Sequence, residues 1–217
     1  MRDFGLYGHL VFDTIWDTKV RHDIGGIANV WKALKQINPK ADIHVSPTNI
    51  GYSTITIDRE KSDRISNSDL NASEVLPTII EAKVNHVAYL NEIENPFFIR
   101  HLTGIVCADI CTGNSLDDGL LDMIDVLFVS EEDLRLIKTP ARIKGLIVVH
   151  SPKKSYFFHN KYGCIGEYVN GLYVLGAGDY FAAKFMSGIL EEKIPEKCLK
   201  DAHNATTKFL KERNEKT

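Results

Sequence analysis

Short runs rich in Val, Ile and Phe recur along this chain, and segments with helical periodicity separate them. The clearest runs are 86–90, 105–110, 126–129 and 146–150, and a similar run lies near the start at 5–12. Each has the length and the apolar character of a buried strand. Because strands that alternate with helices favour a parallel sheet covered on both faces, we predict an α/β fold with a mostly parallel central sheet.

Residue spacing predicts several further elements. They comprise helices over 27–37, over 73–83 and after Ser130, short strands over 43–45 and 53–58, and a hairpin of 156–158 with 164–169. Since 53–58 lies among polar residues, segment 50–62 is expected to form a small antiparallel annex. The sequence has no internal repeat and no linker rich in Pro, Gly or Ser, so residues 1–217 are predicted to form one domain.

The charge balance and the cysteines argue against several classes of protein. With 26 Lys and Arg against 29 Asp and Glu, the formal net charge is −3, so no long-range field would draw nucleic acid or an anionic membrane. No apolar stretch approaches the roughly 18–20 residues of a membrane span, and the first residues lack the apolar core of a signal peptide. The four cysteines form no CxxC pair, which argues against structural zinc. We therefore expect a cytoplasmic protein with reduced thiols.

A glycine turn before an amphipathic segment is the most informative motif for function. Gly176, Ala177 and Gly178 precede apolar residues at helical spacing, so their backbone N–H groups are expected at the positive end of a helix dipole, where anions bind. Asp179 follows directly, and a carboxylate beside a phosphate site can accept the proton of an attacking hydroxyl. Asp is also a favoured helix N-cap, so the motif alone leaves both roles open.

The segment GAGDYFAAKF resembles the GAGD signature of the ribokinase family, also called PfkB carbohydrate kinases. Further segments resemble that family in the same order along the chain. They are GHLVFD ending at Asp13, Gly25-Gly26 with the following Asn29, STITIDREKSDR from Ser53, DVLFVSEED from Asp125, and Ala202-His203-Asn204-Ala205. The resemblance implies a ribokinase-like three-layer α/β/α fold and phosphoryl transfer from ATP with Mg²⁺ to a hydroxyl of a sugar or nucleoside.

The resemblance also implies roles for individual residues. Asp179 would be the general base, and Gly176, Ala177 and Gly178 would form the anion hole. Asp13, Gly25, Gly26 and Asn29 would hold the acceptor, and Asn91 could reach the same pocket, although a loop cap is an equal possibility. Ser130, His150, His203 and Asn204 would lie beside the nucleotide. Glu132 and Asp133 would act near Mg²⁺, since oxygen ligands suit a hard cation.

Several positions depart from the family pattern. Ser130 stands for the usual Asn and Asp133 for the usual Glu, and segment 151–155 lacks the usual glycine. Few residues separate Asp17 from Gly25, which predicts a reduced or absent lid. We therefore consider a sugar kinase first and a catalytically weak or inactive binder of a sugar, nucleoside or nucleotide second. A third possibility is a phosphorylated or nucleotide-linked sugar as substrate. The strand at 53–58 offers an edge through which a homodimer could form.

Overall fold

The computed structural model describes residues 1–58, 63–70, 74–111, 113–158, 162–165 and 174–215. The strands are β1 (Arg2–Trp16), β2 (Val20–Gly26), β3 (Ile43–Asp58), β4 (Asp63–Leu70), β5 (Ala82–Ala88), β6 (Ile105–Asp109), β7 (Val126–Ser130), β8 (Leu146–His150), β9 (Lys154–Phe157) and β10 (Gly163–Ile165). The α-helices are α1 (Ile27–Ile37), α2 (Ala177–Leu190) and α3 (Pro195–Glu215). No helix in the described ranges is long and apolar enough to cross a bilayer.

The strands form one mixed sheet in the order β10-β9-β8-β7-β6-β5-β1-β3-β4, with β2 paired to β1. Strands β1, β3, β5, β6, β7 and β8 pair in parallel, while β2, β4, β9 and β10 join in antiparallel fashion. The predicted α/β class and mostly parallel sheet are confirmed. The predicted hairpin corresponds to β9 and β10, although residues 166–169 lie outside the described part of the chain.

The three α-helices cover one face of the sheet. Phe128 of β7 lies edge-on to two rings of α2, with centroids 6.4 Å from Phe181 and 5.4 Å from Phe185. Helix α3 packs closely on α2 where Gly188 faces Cys198, because a Cβ on that glycine would lie 2.7 Å from the cysteine sulfur. The close approach makes α3 return beside α2, toward the carboxyl edge of the sheet.

The opposite face has a different cover from the one the sequence predicts. Apolar side chains such as Ile99, Leu120 and Leu121 are fully buried there, but they come from 3₁₀ turns. The turns are Leu90–Glu92, Pro96–His101, Asp118–Met123, Asp133–Leu136 and Pro140–Arg142. Since a 3₁₀ turn needs fewer residues than an α-helix, the connections that cover this face of the sheet are short. The helix expected after Ser130 is one of these turns.

The helix predicted over 73–83 is wrong. Residues 74–81 have no regular structure, and Ala82 begins β5. Pro77 lies in the middle of the predicted helix, where it removes a backbone donor and collides with the preceding turn. The apolar spacing that suggested a helix arises instead from a loop that leads into a buried strand.

Strands β1 and β3 continue beyond the core sheet into a four-stranded β extension made of 10–16, 20–26, 51–58 and 63–70. In it Leu10–Trp16 pairs with Val20–Gly26, and Gly51–Asp58 pairs with Asp63–Leu70. The predicted annex is therefore present but larger, because β2 and β4 were not expected. The sequence predicts a lid that is either reduced or absent. Because 10–16 pairs with 20–26 in this extension, the lid is present.

Candidate active site

The glycine turn adopts the backbone geometry of an anion-binding site. Gly176 lies in the left-handed region with φ 79° and precedes the first residue of α2. The Ala177 N–H donates to the Val174 carbonyl at 3.0 Å. The backbone donors that could bind an anion are therefore those of the neighbouring glycines and not that of Ala177. The N–H groups of Gly176 and Gly178 donate to no described residue. Two backbone donors at a helix N-terminus suit an anion.

Asp179 lies in the first turn of α2 and is buried. The short spacing between Gly176 and Asp179 places the carboxylate at the same end of the helix as the glycine turn. A Cβ added at Gly176 would lie 3.8 Å from an Asp179 oxygen. The carboxylate and the backbone donors thus face the same small region.

His150, at the end of β8, packs against the other side of this turn. A Cβ at Gly178 would lie 3.3 Å from its Cε1 atom, and its ring centroid is 5.3 Å from that of Phe181. Burial lowers the pKa of His150 to about 4, outweighing the carboxylates of Asp109 and Asp133, which act to raise it. The imidazole is therefore neutral at pH 7.

The residues predicted to act near the metal lie at the end of β7. The Ser130 hydroxyl donates to an Asp133 oxygen at 2.7 Å and accepts the Asp133 N–H at 3.0 Å, so the two residues close a tight turn. Asp133 is buried, whereas Glu132 is exposed. In the described part of the chain, no group of three or more His, Cys, Asp or Glu side chains could by itself hold a metal ion.

The inner face of the β extension carries a second polar group. Asp13 is buried and accepts a hydrogen bond from the Ser53 hydroxyl at 2.5 Å. A Cβ at Gly25 would lie 2.1 Å from the other Asp13 oxygen, so only glycine permits this approach. Asp23, Asp13, Ser53 and Ser68 occupy one register row across the four strands. This row offers carboxylate and hydroxyl partners suited to a polyhydroxylated ligand.

An apolar contact joins the β extension to the glycine turn. Ile15 and Ile55, on the same inner face as Asp13, form a cluster with Leu175, the residue before Gly176. The contact lies farther out along the strands than Asp13, so it closes the outer end of the space between the extension and the core. The structure therefore packs the β extension, which carries Asp13 and Gly25, against the turn that precedes Asp179.

Some predicted residues have other surroundings. Asn91 donates to the Glu92 side chain and to the Cys111 and Asn114 carbonyls, and accepts the Cys111 N–H. Its side chain joins two loops, which favours the loop-cap alternative, and its assignment to the pocket stays a prediction. His203 is buried under the sheet with Nδ1 3.0 Å from the Ser155 hydroxyl, and burial lowers its pKa. Its predicted place beside a nucleotide stays a prediction, and these contacts show that the side chain lies in the core of the described structure.

Two further predicted residues lie on helices. Asn29 is half-buried in the first turn of α1, after Gly26, whose φ of 62° brings the helix start against the His9 carbonyl. That position is compatible with the predicted contact to an acceptor. Asn204 is exposed on α3, and its side chain makes no hydrogen bond to a described residue.

Sequence reasoning missed two groups at this edge of the sheet. His86 of β5 is fully buried and lies 3.0 Å from the carboxylate of Asp109, which ends β6 and also accepts the Tyr89 N–H. The position of Asp109 at a strand end was the available signal. Arg213, near the end of α3, donates to the Leu175 carbonyl at 2.6 Å. No sequence pattern indicates that contact, because it depends on α3 returning to the site.

No model of a protein family matches the sequence. No curated protein matches it at a significant level. Solved structures do match the fold. The ribokinase of Thermotoga maritima gives a TM-score of 0.72 at 14% identity, covering 95% of this chain and 92% of that chain. The 2-dehydro-3-deoxygluconokinase of the same organism gives 0.71 at 13% identity, covering 95% and 93%.

A third similar structure is a pyrophosphate-dependent kinase in the ribokinase family, complexed with a pyrophosphate analogue and myo-inositol. It gives a TM-score of 0.63 at 16% identity and covers 94% of this chain and 93% of that chain. At these identities the likeness concerns the fold. The chain has the ribokinase-like fold, which is the fold of carbohydrate kinases.

Proposed function

We propose that this protein transfers a phosphoryl group to a hydroxyl of a sugar or sugar-like substrate. The observation that carries the proposal is the placement of Asp179 and the left-handed Gly176 turn at the start of α2, facing the side of the β extension that holds Asp13. A base, an anion site and a polar acceptor site are the parts that phosphoryl transfer requires.

The acceptor would bind against the inner face of the β extension. Asp13, fixed by Ser53, would accept a hydrogen bond from one hydroxyl, and the glycines at the start of α1 would let the acceptor approach the backbone. Asn29 would contribute an amide from the first turn of that helix. The reacting hydroxyl would then give its proton to an oxygen of Asp179, while Gly176 and Gly178 hold the phosphoryl oxygens with their N–H groups.

ATP is the proposed donor, with neutral His150 beside its phosphates or base. Asp133, held by Ser130, and exposed Glu132 would hold Mg²⁺ directly or through water, since a hard cation takes oxygen ligands and keeps several waters. When bound, Mg²⁺ would neutralise charge on the donor phosphates. Two carboxylates beside a phosphate site fit that ion, and the phosphates would supply its other ligands.

A second candidate function is binding of a sugar or nucleoside without efficient transfer. Lys154, the first residue of β9, is ion-paired with Glu131 at 2.6 Å, and His203 lies in the core. The donor side therefore has fewer groups available for a nucleotide than the sequence suggests. The acceptor side keeps its full polar row.

The test combines ligand binding with turnover. Thermal shift against sugars, nucleosides and sugar phosphates, each with and without Mg²⁺-ATP or Mg²⁺-pyrophosphate, would identify acceptor and donor, because a ligand of the folded state raises the melting temperature. Turnover by the wild type should fall by about 10²- to 10⁴-fold in Asp179→Asn, with acceptor binding retained. Asp122→Asn, on the opposite face in an exposed pair with Lys144, is the matched control.

Two outcomes would decide between the candidates. Acceptor binding without turnover from either donor would favour the binding protein. Turnover that survives in Asp179→Asn would exclude this carboxylate as the base.

A further inference from the structure

Arg213 is tied to the glycine turn by several contacts. Its guanidinium donates to the Leu175 carbonyl at 2.6 Å and lies 5.6 Å from the centroid of the Phe209 ring, one helical turn earlier on α3. Phe209 in turn stacks on Tyr180, with ring centroids 4.2 Å apart and planes inclined by 7°. Tyr180 follows Asp179 on α2, so a continuous stack runs from α2 to Arg213 and back to the residue before Gly176.

Arg213 also lies near the β extension. Burial acts to raise the pKa of Asp23 on β2, but hydrogen bonds from Lys32 and the Ile24 N–H, with the charges of Lys32 and Arg213, outweigh it, and the pKa lies below its ordinary value. The positive charge of Arg213 thus contributes to the lowered pKa of Asp23 on β2. The guanidinium occupies a position between α3, the turn and the extension.

The hydrogen bond to Leu175 has a geometric consequence for the next residue. In a trans peptide the C=O and N–H groups point in opposite directions, and the structure has no cis peptide in its described ranges. Since the Leu175 carbonyl points at Arg213, the Gly176 N–H of the same peptide points away from α3. That N–H donates to no described residue.

Gly176 would otherwise let this peptide rotate. Glycine populates positive and negative φ with similar ease, so the backbone at Gly176 sets little barrier to a flipped peptide. A flip would place the Leu175 carbonyl oxygen where the N–H now points. The anion site would then present a partial negative charge to a phosphoryl oxygen.

We propose that Arg213 is a positioning residue that holds the Leu175–Gly176 peptide with its N–H directed into the anion site. The inference rests on the proposed function, because it concerns the same phosphoryl site. Arg213 acts through the Leu175 carbonyl, and the stack on Phe209 and Tyr180 keeps its planar guanidinium in place. In the acceptor site, Asp13 is held by Ser53 and accepts no hydrogen bond from this peptide.

The experiment compares Arg213→Met, which removes the donor, with Arg213→Lys, which keeps a donor and a charge. Lys208→Met is the matched control, because Lys208 is an exposed residue of the same helix whose one ion pair within the described residues is with Glu212. The readouts are kcat, acceptor KM, pyrophosphate affinity by calorimetry, and the NMR chemical shift of the Gly176 amide with and without pyrophosphate.

Arg213→Met should lower kcat by about tenfold to a hundredfold, less than the roughly 10²–10³-fold cost of removing an anion-hole donor, because the Gly176 N–H is redirected and not removed. Pyrophosphate binding should weaken in parallel. Acceptor KM should change less than about threefold, Arg213→Lys should recover most of kcat, and Lys208→Met should resemble the wild type. A purely structural role would change acceptor KM and kcat together. If Arg213→Met does not fold, Arg213→Gln, which is too short to reach Leu175, takes its place.

The inference is overturned if Arg213→Met keeps the kcat and the pyrophosphate affinity of the wild type. It is also overturned if pyrophosphate changes the Gly176 amide chemical shift equally in Arg213→Met and in the wild type. Wild-type turnover that depends on Asp179 but not on Arg213 would reject this inference alone. If the wild type binds pyrophosphate but shows no turnover, the proposed kinase activity is rejected. The role of Arg213 is then tested by comparing the pyrophosphate affinity of Arg213→Met with that of the wild type.

Discussion

Gly25→Ala is the substitution whose effect follows most directly from the geometry of the acceptor site. Gly25 lies outside the left-handed region, so its backbone accepts alanine. The new methyl group would lie 2.1 Å from an Asp13 oxygen, and ordinary contact begins at 3.4 Å. The carboxylate must therefore move by about 1.3 Å, the difference between these distances. That shift breaks or bends its hydrogen bond to Ser53.

The magnitude follows from two opposing effects. Loss of a hydrogen bond to a buried carboxylate costs about 1.5–3 kcal/mol. Alanine restricts the unfolded chain more than glycine does, which returns about 0.4–1 kcal/mol. The net loss in the free energy of unfolding is about 1–2 kcal/mol, which corresponds to a fall of about 2–8 °C in melting temperature for a domain of this size.

The acceptor KM should rise by about tenfold or more, because each factor of ten corresponds to about 1.4 kcal/mol of lost binding. Donor KM should stay close to the wild-type value. The control is Gly119→Ala, whose new methyl group also faces an aspartate oxygen, that of Asp117, but at 3.2 Å and on the opposite face of the sheet. Unchanged acceptor KM and melting temperature in Gly25→Ala would refute the argument that Asp13 must be held in this position.

Three further predictions concern other parts of the molecule. The unfolded chain protonates its histidines near pH 6.5, whereas His150 in the folded protein is protonated near pH 4. The free energy of unfolding should therefore fall by about 2–3 kcal/mol as the pH drops from 6.5 to 4. If the free energy of unfolding of His150→Gln depends on pH in the same way, this prediction is wrong. Strand β4 covers the edge of 53–58 through which a homodimer was predicted. Trp16 is 51% exposed on the outer face of the β extension, which it shares with exposed Tyr52 and Ile65, so we expect a homodimer through this apolar face instead. Sedimentation should show dissociation in Trp16→Ser, and a monomeric wild type would reject the idea. Asn91→Ala should lower the free energy of unfolding by about 2–4 kcal/mol, because the loop hydrogen bonds are lost, and kcat should change little. A strong loss of kcat in the folded variant would show instead that Asn91 acts in the acceptor site.

The parts of the fold that the sequence predicts are those in which burial decides the residue type. The strand Leu146–His150 is buried through its centre, so its sequence is a continuous apolar run. The strand Asp63–Leu70, with the sequence RISNSDL after its first residue, was missed because it carries little apolar pattern. Pairing with β3 holds it in place, and backbone hydrogen bonds leave no trace in side-chain periodicity.

The same distinction applies to the candidate site. Asp13, Gly25 and Asp179 belong to short motifs of consecutive residues, and the resemblance indicates them for that reason. Arg213 is about 34 residues beyond Asp179, and its contact with Leu175 exists only because α3 packs back along α2 at Gly188. A long-range contact of this kind depends on packing, which residue spacing does not encode.

The 3₁₀ turns on one face of the sheet give the molecule two unequal halves. An α-helix closes successive turns with a continuous ladder of backbone hydrogen bonds, whereas an isolated 3₁₀ turn closes only a few. Opening one such turn therefore breaks few bonds and need not disturb the next, so fluctuations on that face stay local. The helical face, through which α2 and α3 hold the glycine turn, opens only when several packed turns move together. We therefore expect amide hydrogen exchange to be slower in α2 and α3, beside the proposed chemistry, than in the 3₁₀ turns on the far side of the sheet.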